Sequence, residues 1–337
     1  VPQNVHSPDE CVDYSDYTFV PWQWLVDLSP LKSRVSLVPY WNVTEMWLAE
    51  NLNVSKEDTL TLRDASPYDF RFVDYSNDRH LASGKYHQSV EISGLQGASQ
   101  RLIRLGSLFG SSRVHLRSKQ NAMLRRDVRK SMAFASPALI KTADLIRDQL
   151  GGVFLGAHVR VGDGRFLQDA EETTRQIWWR LLYRESCKLL DPPLLLMDGP
   201  SLRTPHPPLD DLPKVFRPQV PCRRRLHTSP FLQPLNVPLF ISTDAKFPTD
   251  DSHLAPFIDT FPCAFFLSDF AHEVAQLDVL VNEYDGLQMK PFVLPFLDAM
   301  VAARARDVAI TNGSTFSFFI QDVLWRSHHG WEIVQRG

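Results

Sequence analysis

The stretch "GAHVRVGDGRF", Gly156 to Phe166, decides how the second half of this chain is read. It continues an apolar run that begins at Val153 and closes on a Gly-Asp-Gly turn. A short continuous apolar run bounded by turn residues reads as a strand covered on both faces, as in parallel sheets. Side chains two apart on a strand share a face, so His158 and Arg160 are expected to point the same way at its end.

The same signal recurs downstream. Pro238–Ser242 ("PLFIS"), Ala264–Leu267 ("AFFL") and Val308–Thr311 ("VAIT") read as three further strands. Between them, Glu171–Leu190, Gly286–Arg304 and Phe316–Trp325 carry apolar residues at helical spacing. Buried strands alternating with helices predict a doubly wound α/β layer. The alternation fails from Pro192 to Pro238, which holds half of the 24 prolines. Proline removes a backbone donor and fixes φ, so a long surface insertion is expected there. In the first half, Val35–Trp41 and Arg71–Tyr75 read as strands, and Ser118–Leu150 as helix broken near Pro137. The prediction is a smaller α/β domain over 1–150 and a Rossmann-like domain over 151–337, with the boundary near Gly151-Gly152.

Composition excludes some partners. The net charge of -3 on 337 residues gives no electrostatic pull toward nucleic acid or an anionic membrane. The clusters Arg125-Arg126/Arg129-Lys130 and Arg223–Arg225 read as a solvated helix face and a surface loop. No run approaches the ~18 apolar residues of a membrane span. Four cysteines without a C-x-x-C pair argue against a zinc site and permit disulfides. With sequons at Asn42, Asn53 and Asn312 they point to the lumen of the secretory pathway, ER or Golgi. The chain opens on Val1, and an anchoring or targeting segment is expected upstream of it.

Ligands of open parallel sheets bind beyond the carboxyl ends of the strands. His158, Arg160 and Asp163 follow the first strand, Thr243 and Asp244 the second, and Gly313, Ser314, Thr315, Phe316 and Ser317 the fourth. The last group resembles a phosphate cradle: a glycine for close approach, hydroxyls, and free N–H groups at a helix start. Arg160 offers a planar fork suited to phosphate, and Asp244 suits a nucleobase or ribose. Each cluster also has a plainer role: an N-cap, a turn, an Arg–Asp163 pair, a satisfied core histidine.

H-x-R after a strand, T-D after the next and G-S-T-F-S opening a helix, in that order over about 150–325, resemble the GDP-fucose protein O-fucosyltransferases. The resemblance implies a GT-B fold, two Rossmann-like domains facing a central cleft. It implies transfer of fucose from GDP-fucose to a hydroxyl on a protein or glycan acceptor, with inversion and without metal or other cofactor. By motif position Arg160 contacts the pyrophosphate as the catalytic group, beside His158 and Asp163. Thr243 and Asp244 lie near guanosine, and Gly313 to Ser317 bind phosphate. No D-x-D triplet, the usual metal–nucleotide clamp, occurs in the sequence. The family's glycine-rich G-G-x-N-N-Q turn is also missing, Ser83–Gln88 being a poor match, which leaves the acceptor side and any base undefined. The alternatives are a relative that binds a nucleotide sugar or glycan without turnover, and a GT-B transferase using another nucleotide sugar.

Overall fold

A computed structural model describes residues 18–38, 44–66, 68–75, 86–106, 113–186, 207, 209 and 218–335. The chain forms two compact units, one from residues 28–131 with 335–337, the other from 1–27 with 132–334. Both are mixed α/β with parallel pairing.

The smaller unit carries two parallel sheets. β1 (Thr59–Leu62) pairs with β4 (Leu102–Leu105), and β2 (Phe70–Val73) lies between β3 (Gln88–Glu91) and β5 (Val114–His115). Phe70, Phe72 and Val73 are buried, and Tyr86 joins them. Arg113 is drawn into this core because its charge is matched: it meets Asp64 at 2.7 Å and the Phe70 carbonyl at 2.7 Å. Its guanidinium also lies over the Phe70 ring. A buried charge needs such partners. The helix Lys119–Lys130 starts at Ser118, whose hydroxyl accepts from Asn121 N. Asp74 accepts from the Arg117 and Ser118 amides at 2.8 and 3.0 Å, which suits the positive end of a helix. Residues 35–38, expected as strand, form none and are exposed. Among the described residues no strand pairs with them, and residues 39–41 of that expectation lie outside the described residues.

The larger unit is built on four parallel strands in the order β8–β7–β6–β9: β6 is Leu155–Val159, β7 Leu239–Thr243, β8 Ala264–Phe265 and β9 Asp307–Ile310. All four strands expected from the sequence are present, shorter by a residue or more or shifted by one. Pleating sorts their side chains. Leu155, Ala157, Val159, Leu239, Ile241 and Ala309 pack with Ile177 and Leu181 of the helix Ala170–Ser186. The alternate positions face the helix Lys290–Ala303. Gly156 is needed there: a Cβ would stand 2.8 Å from the Ala302 carbonyl and 2.8 Å from the Ala305 Cβ, so the helix lies directly on the strand.

The helix Pro137–Gln149 packs on Lys290–Ala303, and Arg304 donates to Asp144 at 2.7 Å. This helix therefore belongs to the larger unit, and the division falls at Ser131/Met132, not at Gly151. The cause is an apolar face, Leu139, Ala143 and Ile146, that is fully buried.

Of the proline-rich insertion, 192–206 and most of 207–217 lie outside the described residues, as do residues 187–190 of the expected helix Glu171–Leu190. Its returning limb has only a short helical turn, Gln233–Asn236. Cys222 bridges to Cys263 beside the edge strand β8. Arg223 grips Asp269 at 2.5 and 2.6 Å and the Ala264 carbonyl at 3.0 Å. The arginines expected as plain surface loop thus fasten that limb to the sheet edge.

Candidate functional site

Strand order locates the crevice. From β6 the chain moves outward to β7 and β8, then returns to lay β9 on the other side of β6. The order reverses between β6 and β9, and in such sheets ligands bind beyond the carboxyl ends of the strands at the reversal.

The loops after β6, β7 and β9 meet there. The Arg160 amide donates to Thr311 Oγ1 at 2.9 Å, and that hydroxyl donates to the His158 carbonyl at 3.1 Å. Asp244 Oδ1 accepts from the Val161 and Gly162 amides at 2.8 and 3.1 Å. One carboxylate after β7 therefore shapes the loop after β6. Thr243 Oγ1 accepts from the Ala245 amide at 3.2 Å, closing a turn.

The β9 turn has the features expected of it. Gly313 has φ 76, the left-handed region that favours glycine. Ser314 caps the helix Thr315–Phe319, its hydroxyl accepting from Ser317 N at 3.3 Å. Ser314 and Ser317 are buried, while Thr315 and Phe316 are half-buried. A π-helical turn, Ile320–Trp325, continues this helix.

His158 and Arg160 part company, because β6 ends at Val159 and the pleat does not extend to Arg160. His158 is 4% exposed, its Nδ1 is 2.6 Å from Ser317 Oγ, and its ring meets Phe316 edge-on. Burial, and secondarily the Arg160 charge, pushes its pKa down to about 3, so it is neutral and ties β6 to the β9 helix. Arg160 lies half-buried at the crest. It donates to Asp163 Oδ2 at 2.8 Å and stands 3.8 Å from Asp244 Oδ2. Asp163 itself is exposed and directed at Arg160.

Two further groups complete the site. Ser242 pairs in register with His158, hence on the same face, and donates to Asp298 Oδ2 at 2.5 Å. Asp298 comes from the helix Lys290–Ala303, and its Oδ1 is sealed from solvent without a hydrogen-bond partner. Burial raises its pKa to about 7, opposed by the Ser242 and Thr243 hydrogen bonds. The signal was a lone Asp in "PFVLPFLDAMVAA". Arg165 is the second: it crosses the cleft and donates to the Gly313 carbonyl at 2.7 Å. The arrangement offers the Arg160 and Arg165 cations to an anionic ligand, while the Asp298 carboxyl stays buried behind Ser242. Among the described residues no group of three or more His, Cys, Asp or Glu could hold a metal ion.

No protein-family model matches this sequence, and no curated protein matches it.

Proposed function

We propose that the larger unit binds a nucleoside diphosphate sugar in the β6/β9 crevice and that the chain is an inverting, metal-independent transferase. In this reading it moves fucose from GDP-fucose to a hydroxyl of a protein or glycan. The observation that carries it is the meeting of Arg160, Asp244 and the Gly313–Ser314 turn at the strand-order reversal. Thr243 and Asp244 flank the nucleoside. Arg160 and the amides beginning at Ser314 face the phosphates. As the bond from the sugar's anomeric carbon to phosphate oxygen breaks, charge grows on the leaving diphosphate, and donors already fixed in place stabilise it. Neutral His158 keeps the Ser317 hydroxyl oriented without adding charge. A GT-B arrangement of the two units belongs to this proposal, as does a secretory-pathway lumen, which the Cys222–Cys263 bridge supports.

Arg160, held between Asp163 and Asp244, favours one alternative, a relative that binds the nucleotide sugar without turning it over. Calorimetry with GDP, with and without chelator, and a fucose-transfer assay separate these readings. GDP raises the melting temperature if it binds the native state. Absence of a shift at millimolar GDP rejects the site. Binding without transfer to any acceptor leaves the non-catalytic reading.

A further inference from the structure

We propose that Arg165 holds the distal phosphate of a nucleoside diphosphate and so makes the crevice select diphosphates over monophosphates. This rests on the nucleotide-binding reading above. Arg160 and Arg165 lie against the same phenyl ring, with guanidinium carbons 5.3 and 4.9 Å from the Phe166 centroid. Their surroundings differ. Arg160 has two carboxylates for company, Asp163 and Asp244. Arg165 is exposed, and among the described residues no carboxylate pairs with it; its hydrogen bond goes to the Gly313 carbonyl. One carbonyl occupies only part of the guanidinium donor fork. The remaining N–H groups are free to meet an anion, which a planar fork grips well.

Position assigns the phosphate. Arg160 leans toward the β7 side, with Asp244 and the proposed nucleoside. Arg165 leans the other way, to the β9 turn, on the far side of β6. A ligand whose nucleoside sits by Thr243 and Asp244 and whose phosphates run past Arg160 toward the β9 turn would bring its second phosphate to Arg165. The turn and the guanidinium also fit each other. A Cβ on Gly313 would lie 2.5 Å from Arg165 Nη2, so a side chain there would displace the cation. Tethered at the carbonyl and resting on Phe166, Arg165 is ordered before the ligand arrives, which lowers the entropic cost of binding.

The test is calorimetry on the intact chain with GDP and with GMP, for the unaltered protein and for Arg165→Met, Arg165→Lys and Gly313→Ala. Arg165→Met keeps the bulk of the stem and removes the charge. We expect it to weaken GDP at least tenfold while changing GMP by less than about twofold, the size expected for a charged hydrogen bond made to the distal phosphate alone. Arg165→Lys recovers part of the loss, since lysine restores charge without the fork. Gly313→Ala reproduces the selective loss with Arg165 still present. Equal losses for GDP and GMP in Arg165→Met would mean that the arginine only props up the turn, and would overturn the proposal. Unchanged GDP affinity overturns it too, leaving the nucleotide site intact. If the unaltered chain binds neither nucleotide, the crevice reading fails and this inference with it.

Discussion

Asp298 and His158 sit on the same side of the sheet and titrate in opposite senses. The Asp298 carboxyl is raised to about 7 from 3.8. The folded state thus holds its proton where the unfolded chain has released it. Its contribution to stability is complete below about pH 4 and is lost as pH rises through about 7. His158 is lowered to about 3 from 6.5. Its contribution is complete above pH 6.5 and is lost as pH falls toward 3. Between these limits the two slopes oppose each other. Asp298→Asn removes one of them, so its unfolding midpoint should fall more steeply than the parent's when pH is lowered from 6.5 to 4.5. Parallel curves in denaturant titrations at those pH values would show that the carboxyl is not protonated in the fold. At this scale the sequence was informative about residue type and silent about direction. His158 and Arg160 share a parity, but Arg160 lies past the last ladder pair. Arg165 reaches Gly313 only through the path of a loop, which no periodicity encodes.

Elements were readable in proportion to their burial. β6, β7 and β9 announce themselves because a strand covered on both faces must be apolar at nearly every position. The short strands Thr59–Leu62, "TLTL", with two apolar residues in alternation, and Leu102–Leu105, "LIRL", with three and no alternation, are half-exposed or exposed, so neither carries the continuous apolar run of a buried strand. Residues 35–38, "VSLV", show the reverse, since a mostly apolar stretch that pairs with no strand among the described residues stays irregular. In the described limb of the insertion, 218–238, regular structure is limited to the turn Gln233–Asn236, yet proline content does not tell where such a segment is fastened. The Cys222–Cys263 bridge spans 41 residues, a loop for which chain entropy gives about 4 kcal/mol of stabilisation. Cys222→Ser should lower unfolding stability by a sizeable part of that amount. Hydrogen exchange should show residues 218–229 and β8 losing protection first. Equal protection in the two proteins would mean that Arg223 and its partners hold this limb unaided.

On the scale of the whole molecule the smaller unit is, in chain order, an insertion within the larger. The chain leaves the larger unit after Asp27 and re-enters it at Met132. At the crossing, Val26 and Phe134 form an antiparallel bridge, and the Ala135 amide donates to the Leu25 carbonyl at 2.7 Å. Phe134 is seated against Phe296 and Phe319, both 5.3 Å away. Joining Asp27 to Met132 through a short Gly-Ser linker should therefore leave a folded protein that still melts cooperatively and still responds to GDP. A deletion variant without a thermal transition would show that the larger unit depends on the segment removed. The Gly151-Gly152 pair looks like a boundary in the sequence because glycines interrupt a pattern. Nesting has no local signature, since the two ends that meet lie far apart along the chain.

The Val26–Phe134 bridge also bears on the order in which the molecule assembles. Closing a contact across a long unfolded segment costs entropy that grows with the logarithm of its length. Once residues 28–131 have collapsed, their ends are already close, and the same contact spans a far shorter effective loop. Early folding of residues 28–131, with the Arg113–Asp64 pair in their core, is therefore expected to speed the closure of Leu25 on Ala135, and refolding of Arg113→Ala at the parent's rate would overturn that expectation. A lesion at Arg113 would then be felt first as slow closure of a sheet in which it takes no part.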